Sequence, residues 1–278
     1  MPGRRRIPRV VLARRLHAET IGEGESLVLV HGFTQTARSW DGIVARLRGR
    51  YRITLVDAPG HGGSADVHVS LAEAAEMMAD QCGVATYIGY SMGARLCLHV
   101  ATQRPDVVER LVLLSGTAGL SDPVERADRR QADEALAATI ERDGVESFLN
   151  QWLAQPMFAG VVDADGRDRD RADRLRNTAG GLAASLRLCG TGAQDSLWHR
   201  SGDLDMPVLI MAGERDAKFM DLGRRMTARI GGGSQLRCLA EFAGVSDAGH
   251  AAHLEQPDTF VGLLTDWLTD HPTSPRHH

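Results

Sequence analysis

The stretch Gly89-Tyr-Ser-Met-Gly-Ala-Arg95 decides the fold of this chain. It follows an apolar run, Ala85-Thr-Tyr-Ile88, and opens a segment with helical spacing. A serine between two glycines at such a junction is typical of a nucleophile elbow, in which a strand turns sharply into a helix. The glycines are needed because the strained turn leaves no room for side chains beside the serine. The sequence therefore predicts that the Ser91 hydroxyl stands exposed at a helix N-terminus.

An activated serine of this kind needs a carboxylate and a histidine further along the chain, in that order. Val208–Ala212 is typical of a buried strand, and the loop after it contains Asp216, the predicted acid. His250 ends the loop sequence Asp247-Ala-Gly-His250 and precedes a segment with helical spacing. We predict that His250 accepts the Ser91 proton while Asp216 fixes the imidazole tautomer and stabilises the imidazolium.

An oxyanion hole is expected from two backbone amides. One is the amide of Met92, directly after the serine, and the other is that of Phe33. Phe33 lies in the turn His31-Gly-Phe33, which follows the strand-like run Leu27–Val30. Amides at these two places stabilise developing negative charge on a substrate oxygen.

Apolar runs of strand length alternate with helical patterns along the chain. This alternation predicts an α/β fold, with a mainly parallel sheet and helices on both faces, and with loops of the site at the carboxyl ends of the strands. The predicted strands are Val10–Leu12, Leu27–Val30, Ile53–Val56, Thr86–Gly89, Leu111–Leu114, Val208–Ala212 and Leu236–Leu239.

Residues 119–203 interrupt the alternation because they contain no strand-like run. We interpret them as a helical cap inserted into a core formed by residues 1–118 and 204–278. Either Ser121 or Asp122 is expected to cap the first helix ahead of Pro123. Trp152 ends a second helical pattern, and it and Phe158 either belong to the core of the cap or line a pocket over the active site.

Composition excludes several classes of function. The formal net charge of -4 does not indicate a nucleic-acid partner. No apolar run approaches the length of a membrane span, and the basic N-terminal patch Arg4–Arg6 lacks the apolar region of a signal peptide, so a cytoplasmic location is expected. The four cysteines are widely spaced, which predicts free thiols with neither metal nor disulfide spacing.

Arginines provide the first indication of the substrate. Arg95 lies four residues after Ser91, about one helical turn on, so its guanidinium either rises beside the nucleophile or pairs with a surface carboxylate. Arg126 and Arg176 come from different cap segments and would face the same cavity if the cap folds over the elbow. Guanidinium groups bind carboxylates bidentately, so three of them suit a small polycarboxylate substrate.

The sequence resembles the 2-succinyl-6-hydroxy-2,4-cyclohexadiene-1-carboxylate synthases of menaquinone biosynthesis, which are lyases with the α/β-hydrolase fold. The resemblance extends through core and cap. The motifs that carry it are His31-Gly-Phe33, Asp57-Ala-Pro-Gly-His-Gly-Gly-Ser64, Gly89–Arg95, Glu125-Arg-Ala-Asp-Arg-Arg130, Asn150-Gln-Trp152, Gln155-Pro-Met-Phe158, Leu175-Arg176, Gly213-Glu-Arg-Asp-Ala-Lys-Phe219 and Gly249-His-Ala-Ala-His253.

This resemblance implies roles for particular residues. It implies the same Ser-His-Asp triad and oxyanion amides, with no metal or cofactor. It also implies that three arginines hold substrate carboxylates and three aromatic residues line the pocket: Arg95, Arg126, Arg176, Tyr90, Trp152 and Phe158. The implied reaction is elimination of pyruvate, with Ser91 acting as a base.

Two other functions stay open at the level of sequence. One is a serine hydrolase that cleaves an ester or a carbon-carbon bond in a carboxylated dicarbonyl compound. The other is a ligand-binding receptor on the same fold. The sequence leaves the oligomeric state open between monomer and homodimer. His61 is predicted to be structural, and His253 to be a helix-start residue and not a second base.

Overall fold

A seven-stranded sheet forms the centre of the molecule, a computed structural model that describes residues 15–158, 160, 164–232 and 240–273. The strand order is β1-β3-β2-β4-β5-β6-β7. β1 pairs antiparallel with β3, and the other pairings described are parallel, which confirms the predicted sheet. The strands are β1 (Ala18–Ile21), β2 (Glu25–Val30), β3 (Tyr51–Val56), β4 (Ala85–Tyr90), β5 (Val108–Leu114), β6 (Val208–Gly213) and β7 (Ala240–Val245).

Helices cover both faces of this sheet. In β2, Val28 and Val30 pack on one face, while Leu27 and Leu29 pack on the other, because successive side chains of a strand point to opposite sides. Strands buried on both faces are apolar along most of their length, which is why the sequence reveals them. The helices are α1 (Asp41–Leu47), α2 (Leu71–Cys82), α3 (Met92–Gln103), α4 (Pro123–Trp152), α5 (Ala164–Arg174), α6 (Ala179–Cys189), α7 (Ala217–Gly231), α8 (Ala252–Glu255) and α9 (Pro257–Asp270).

The structure describes only helices between β5 and β6, in the span where the sequence predicts a cap. Asp122 caps α4, because its side chain accepts hydrogen bonds from the amides of Val124 and Glu125. Gly144, at φ 80° and ψ 166°, interrupts α4 and divides it into two helical parts. The second part packs against α6 through an apolar cluster that includes Phe148.

Two strands differ from the sequence prediction. Val10–Leu12 and Leu236–Leu239 lie outside the described residues, so those predicted strands stay predictions. The strands described at the two edges of the sheet, β1 and β7, were missed. Glu19 and Glu241 interrupt their apolar patterns, since an edge strand is less completely buried than a central one.

Two further sequence predictions concern the cysteines and membrane-spanning segments. Cys82, Cys97 and Cys189 are free thiols, and Cys238 lies outside the described residues. None of the helices described combines the length and hydropathy needed to cross a bilayer.

Candidate active site

Ser91 lies in a strained turn between β4 and α3. Its backbone has φ 52° and ψ -106°, a conformation that L-residues rarely adopt. A Cβ atom on Gly93 would lie 2.1 Å from the carbonyl oxygen of Val30, and one on Gly89 would lie 2.3 Å from that of Gly93. The turn therefore requires both glycines, as the sequence predicts for an elbow.

His250 and Asp216 approach the serine in a chain of hydrogen bonds. His250 Nε2 lies 3.2 Å from Ser91 Oγ, and His250 Nδ1 lies 2.7 Å from Asp216 Oδ2. The His250 side chain is 2% exposed, so its ring is almost entirely enclosed by the protein. Asp216 follows β6 and also caps α7 by accepting a hydrogen bond from the Phe219 amide. The structure thus brings together the three residues selected from the sequence.

Glu255 braces the loop that carries His250, a role that the sequence analysis missed. Its buried carboxylate accepts hydrogen bonds from the amides of Gly249, at 2.7 Å, and Ala251, at 3.1 Å. On the other side, Ser115 Oγ donates to the carbonyl oxygen of His250 at 2.9 Å. These bonds hold the backbone on both sides of the histidine.

The two predicted oxyanion residues both line the cavity beside Ser91. Met92 is the first residue of α3, so its amide has no acceptor within the helix. Phe33 precedes Thr34, whose φ of 71° is strained.

His61 Nε2 accepts the Thr34 amide hydrogen at 3.1 Å, which requires a neutral ring, and burial lowers the His61 pKa to about 3. These contacts support the structural role predicted for His61.

Helix α5 and the residues after it form hydrogen bonds with the loop that contains Phe33 and Thr34. Asp173 Oδ2 accepts the Thr36 amide at 2.9 Å, and Asn177 Nδ2 donates to the Thr34 carbonyl at 2.6 Å. Arg174 donates to the Phe33 carbonyl oxygen at 3.4 Å and to the Thr34 hydroxyl. The loop that carries Phe33 is therefore held jointly by the core and by the helical segment.

A cavity of about 600 Å³ lies between the elbow and the helical segment. Its aromatic lining includes the three predicted residues, together with two that were not predicted for this role: Tyr90, Trp152, Phe158, Phe33 and Phe219. Burial raises the pKa of the Tyr90 phenol above its usual value, so the hydroxyl stays protonated at neutral pH. This lining suits a ligand with a flat apolar body.

Arg95 is a buried cation on the wall of this cavity. It is 7% exposed, and its Nη1 donates to the carbonyl oxygen of Cys189 at 2.8 Å and to Gln194 Oε1 at 3.1 Å. Burial lowers its pKa to about 10, which still leaves it charged at neutral pH. No carboxylate of the described ranges lies at ion-pair distance from it. A buried charge that lacks a partner is costly, so the site favours an anion in the cavity.

Arg126 and Arg176 do not line the cavity, contrary to the sequence prediction for their position. Arg126 pairs with Asp195 at the surface, at 3.3 Å, and Arg129, one turn further along α4, lines the cavity instead. Arg176 is exposed just beyond α5, whereas Arg174 is buried. Side chains two positions apart on a helical turn point to different sides, which separates these two arginines.

Three further charged residues of the lining were not predicted to bind substrate. Arg129 and Asp133 both line the cavity and form an ion pair at 2.7 Å. Lys218 also lines the cavity and lies in the first turn of α7. The signal that could have found Arg129 and Asp133 is their spacing of four residues on one face of α4.

A mainly parallel sheet with a strained serine after its central strand, and with its acid and histidine on later loops, defines a protein of the α/β-hydrolase fold. The chain belongs to the α/β hydrolase family, whose sequence model matches residues 27–263.

Within this family, the chain belongs to the 2-succinyl-6-hydroxy-2,4-cyclohexadiene-1-carboxylate synthases. It is 36% identical to a protein named as a putative member in Bacillus subtilis (strain 168), over 88% of this chain and 90% of that one. It is 31% identical to the synthase of Salmonella schwarzengrund (strain CVM19633), over 87% of this chain and 93% of that one.

One solved structure agrees with this assignment, and another supports the fold. The structure of MenH from S. aureus is similar to this chain with a TM-score of 0.85 and 27% identity, over 92% of this chain and 98% of that one. A thermophilic esterase from Thermogutta terrifontis is similar with a TM-score of 0.74 and 22% identity, over 92% of this chain and 94% of that one, a likeness that shows the fold alone.

Proposed function

We propose that this protein is a lyase that eliminates pyruvate from 2-succinyl-5-enolpyruvyl-6-hydroxy-3-cyclohexene-1-carboxylate. The product is 2-succinyl-6-hydroxy-2,4-cyclohexadiene-1-carboxylate, the compound in the names of its relatives. The observation that carries the proposal is the buried Arg95 guanidinium, which faces the cavity beside Ser91 and has no carboxylate partner among the residues that the structure describes. An ordinary ester pocket has no need for such a charge, whereas a substrate with three carboxylates does.

Ser91, His250 and Asp216 form the proposed catalytic triad. Ser91 Oγ removes the proton from the ring carbon next to the succinyl ketone while His250 Nε2, 3.2 Å away, takes the serine proton. The carbanion electrons form a new ring double bond, the existing double bond shifts, and the carbon-oxygen bond to the enolpyruvyl group breaks. His250 then returns its proton to the leaving oxygen, and the enol released becomes pyruvate.

The charge that develops on the succinyl ketone oxygen is stabilised by the amides of Phe33 and Met92 in this proposal. Both residues line the cavity beside the serine. Arg95 and Arg129 hold substrate carboxylates, because guanidinium groups bind carboxylates through two parallel hydrogen bonds. The aromatic lining packs against the ring of the substrate.

The test is to supply the freshly generated cyclohexene substrate and to measure both pyruvate and the conjugated diene. We expect rapid formation of both products, and a loss of about 10² to 10⁴-fold in the rate for Ser91→Ala, which removes the base. Simple aryl esters are assayed beside it. Absence of pyruvate release, together with rapid ester cleavage and an acyl-serine detected by mass spectrometry, would establish a serine hydrolase instead.

A further inference from the structure

Lys218 is the only lysine in the 278 residues of the chain, which contains 32 lysines and arginines in total. It lies in the first turn of α7, two residues after Asp216. Its side chain lines the cavity on the same wall as Phe219 and His250. This position gives it access both to the cavity and to solvent, since the residue is exposed.

The stability of the fold does not explain a cation at this place. The N-terminus of a helix carries partial positive charge, so a lysine in the first turn of α7 is unfavourable there. Lys218 forms no ion pair with a carboxylate in the part of the chain that the structure describes. Its contact is with the Phe219 ring, whose centroid lies 5.6 Å from Nζ and 4.6 Å from that of the His250 ring.

The cations of the cavity form two separate groups. Arg95 is held by the carbonyl oxygen of Cys189, and Arg129 is held by Asp133, so both lie toward the helical segment. Lys218 lies on the core side, one aromatic ring away from His250. With Asp133 as the only carboxylate that lines the cavity among the described residues, the three cations leave excess positive charge for an anionic ligand.

We propose that Lys218 binds the carboxylate of the enolpyruvyl group as it leaves. This inference rests on the proposed function and assigns the third substrate carboxylate, beyond the two given to the arginines. When the carbon-oxygen bond breaks, its electron pair goes to the leaving oxygen, which takes the proton that His250 carries from Ser91. The leaving oxygen must therefore lie beside His250, and its own carboxylate, one carbon further, falls near Lys218.

The first experiment compares Lys218→Met with Lys218→Arg, using pyruvate as the probe. Pyruvate is added as a product inhibitor to assays with the cyclohexene substrate. Lys218→Met is expected to raise the inhibition constant of pyruvate by about tenfold or more, since a charge-assisted hydrogen bond is lost. Lys218→Arg keeps the charge and stays within about threefold of the unchanged protein.

Arg225→Met is the matched control. Arg225 is also on α7 and lines no part of the cavity, and its substitution removes one positive charge as well. It should leave pyruvate inhibition unchanged. Equal pyruvate inhibition constants for the wild type and Lys218→Met, in an enzyme that does release pyruvate, would overturn the role of Lys218. A wild type that releases no pyruvate would instead overturn the proposed function.

A second measurement uses the single lysine directly. Acetylation with an N-hydroxysuccinimide ester modifies amines without a reductant, so within this chain it reports on Lys218 and on the N-terminus, which peptide mapping separates. Pyruvate is expected to slow acetylation of Lys218 by several-fold without changing that of the N-terminus. Equal rates with and without saturating pyruvate would contradict the inference, whatever the activity of the variants.

Discussion

The elbow and the helical segment between β5 and β6 follow different rules. At the elbow, positions are fixed by backbone contacts, such as the approach of Gly93 to the carbonyl of Val30. In the helical segment, the direction of each arginine side chain depends on the carboxylate with which it forms an ion pair, as Arg126 does with Asp195. Residues of the first kind can be located from sequence, whereas residues of the second kind need the packed structure.

The largest effect is expected for Arg95→Ala compared with Arg126→Ala. Removal of Arg95 should decrease kcat/KM by a factor equivalent to about 2 to 5 kcal/mol of transition-state stabilisation, because a substrate carboxylate would remain buried without its partner. Removal of Arg126 should change it by less than about 1 kcal/mol, since its ion pair is at the surface. Steady-state kinetics with the cyclohexene substrate measure both.

Thermal unfolding of both arginine variants is the control, because Arg95 also holds the backbone at Cys189. If Arg126→Ala impairs turnover as strongly as Arg95→Ala while both remain folded, the contrast between the two regions is wrong.

Two glycines test the same contrast through stability. Gly93→Ala should lower the free energy of unfolding by about 3 kcal/mol, because the new Cβ meets backbone atoms that cannot move separately. Gly180→Ala, in α6, meets nothing within 4 Å and should leave stability unchanged or raise it by up to about 1 kcal/mol. Denaturant unfolding measures both, and equal losses would refute the distinction.

We expect a buried histidine of the core to make the free energy of unfolding sensitive to acid. The ring nitrogens of His253 have no hydrogen-bond partner within the described part of the chain, and burial lowers the pKa of this histidine to about 3. The unfolded chain therefore binds the extra proton at higher pH than the folded one, and stability falls as the pH falls from about 6.5 toward 3, by about 1.4 kcal/mol for each unit.

His253→Phe tests this titration and keeps an aromatic ring against Trp40, whose centroid lies 4.4 Å away. Relative to wild type, the variant should be more stable by about 2 kcal/mol at pH 5 than it is at pH 7. Urea unfolding at the two values gives this difference. The same relative stability at both pH values would show that His253 does not titrate in this range.

The smallest effect is expected at Gly144, where α4 is interrupted. Gly144→Ala meets no atoms within 4 Å, yet it places a side chain at φ 80°. That conformation is essentially confined to glycine and costs alanine about 1 kcal/mol or more, so stability should fall by about that amount. An unchanged unfolding midpoint would indicate that α4 straightens through this position.

The central strands and the site residues Ser91, Asp216 and His250 could be located from sequence because each follows from a local rule. The strands are apolar runs, and the site residues follow strands whose carboxyl ends meet at one edge. Phe33 and Met92 could be selected for the same reason, and their proposed role as oxyanion donors awaits measurement.

The features that the sequence did not predict depend on contacts between residues that are far apart along the chain. β1 and β7 are edge strands with interrupted patterns, and Glu255 is an ordinary surface residue type whose burial becomes apparent only in the fold. Arg129 differs from Arg126 by one helical turn, a distinction that depends on how α4 packs. Tyr90, Trp152 and Phe158 do line the cavity, although pattern alone could not separate that role from core packing.

The hydrogen bonds that join Asp173 and Asn177 to the loop at Thr34 affect the exchange of its amide hydrogens with solvent. The Thr36 amide is bound to Asp173, so its hydrogen can exchange only when α5 moves away from that loop. Movement of α5 would therefore also loosen the backbone at Phe33, whose carbonyl oxygen accepts a hydrogen bond from Arg174.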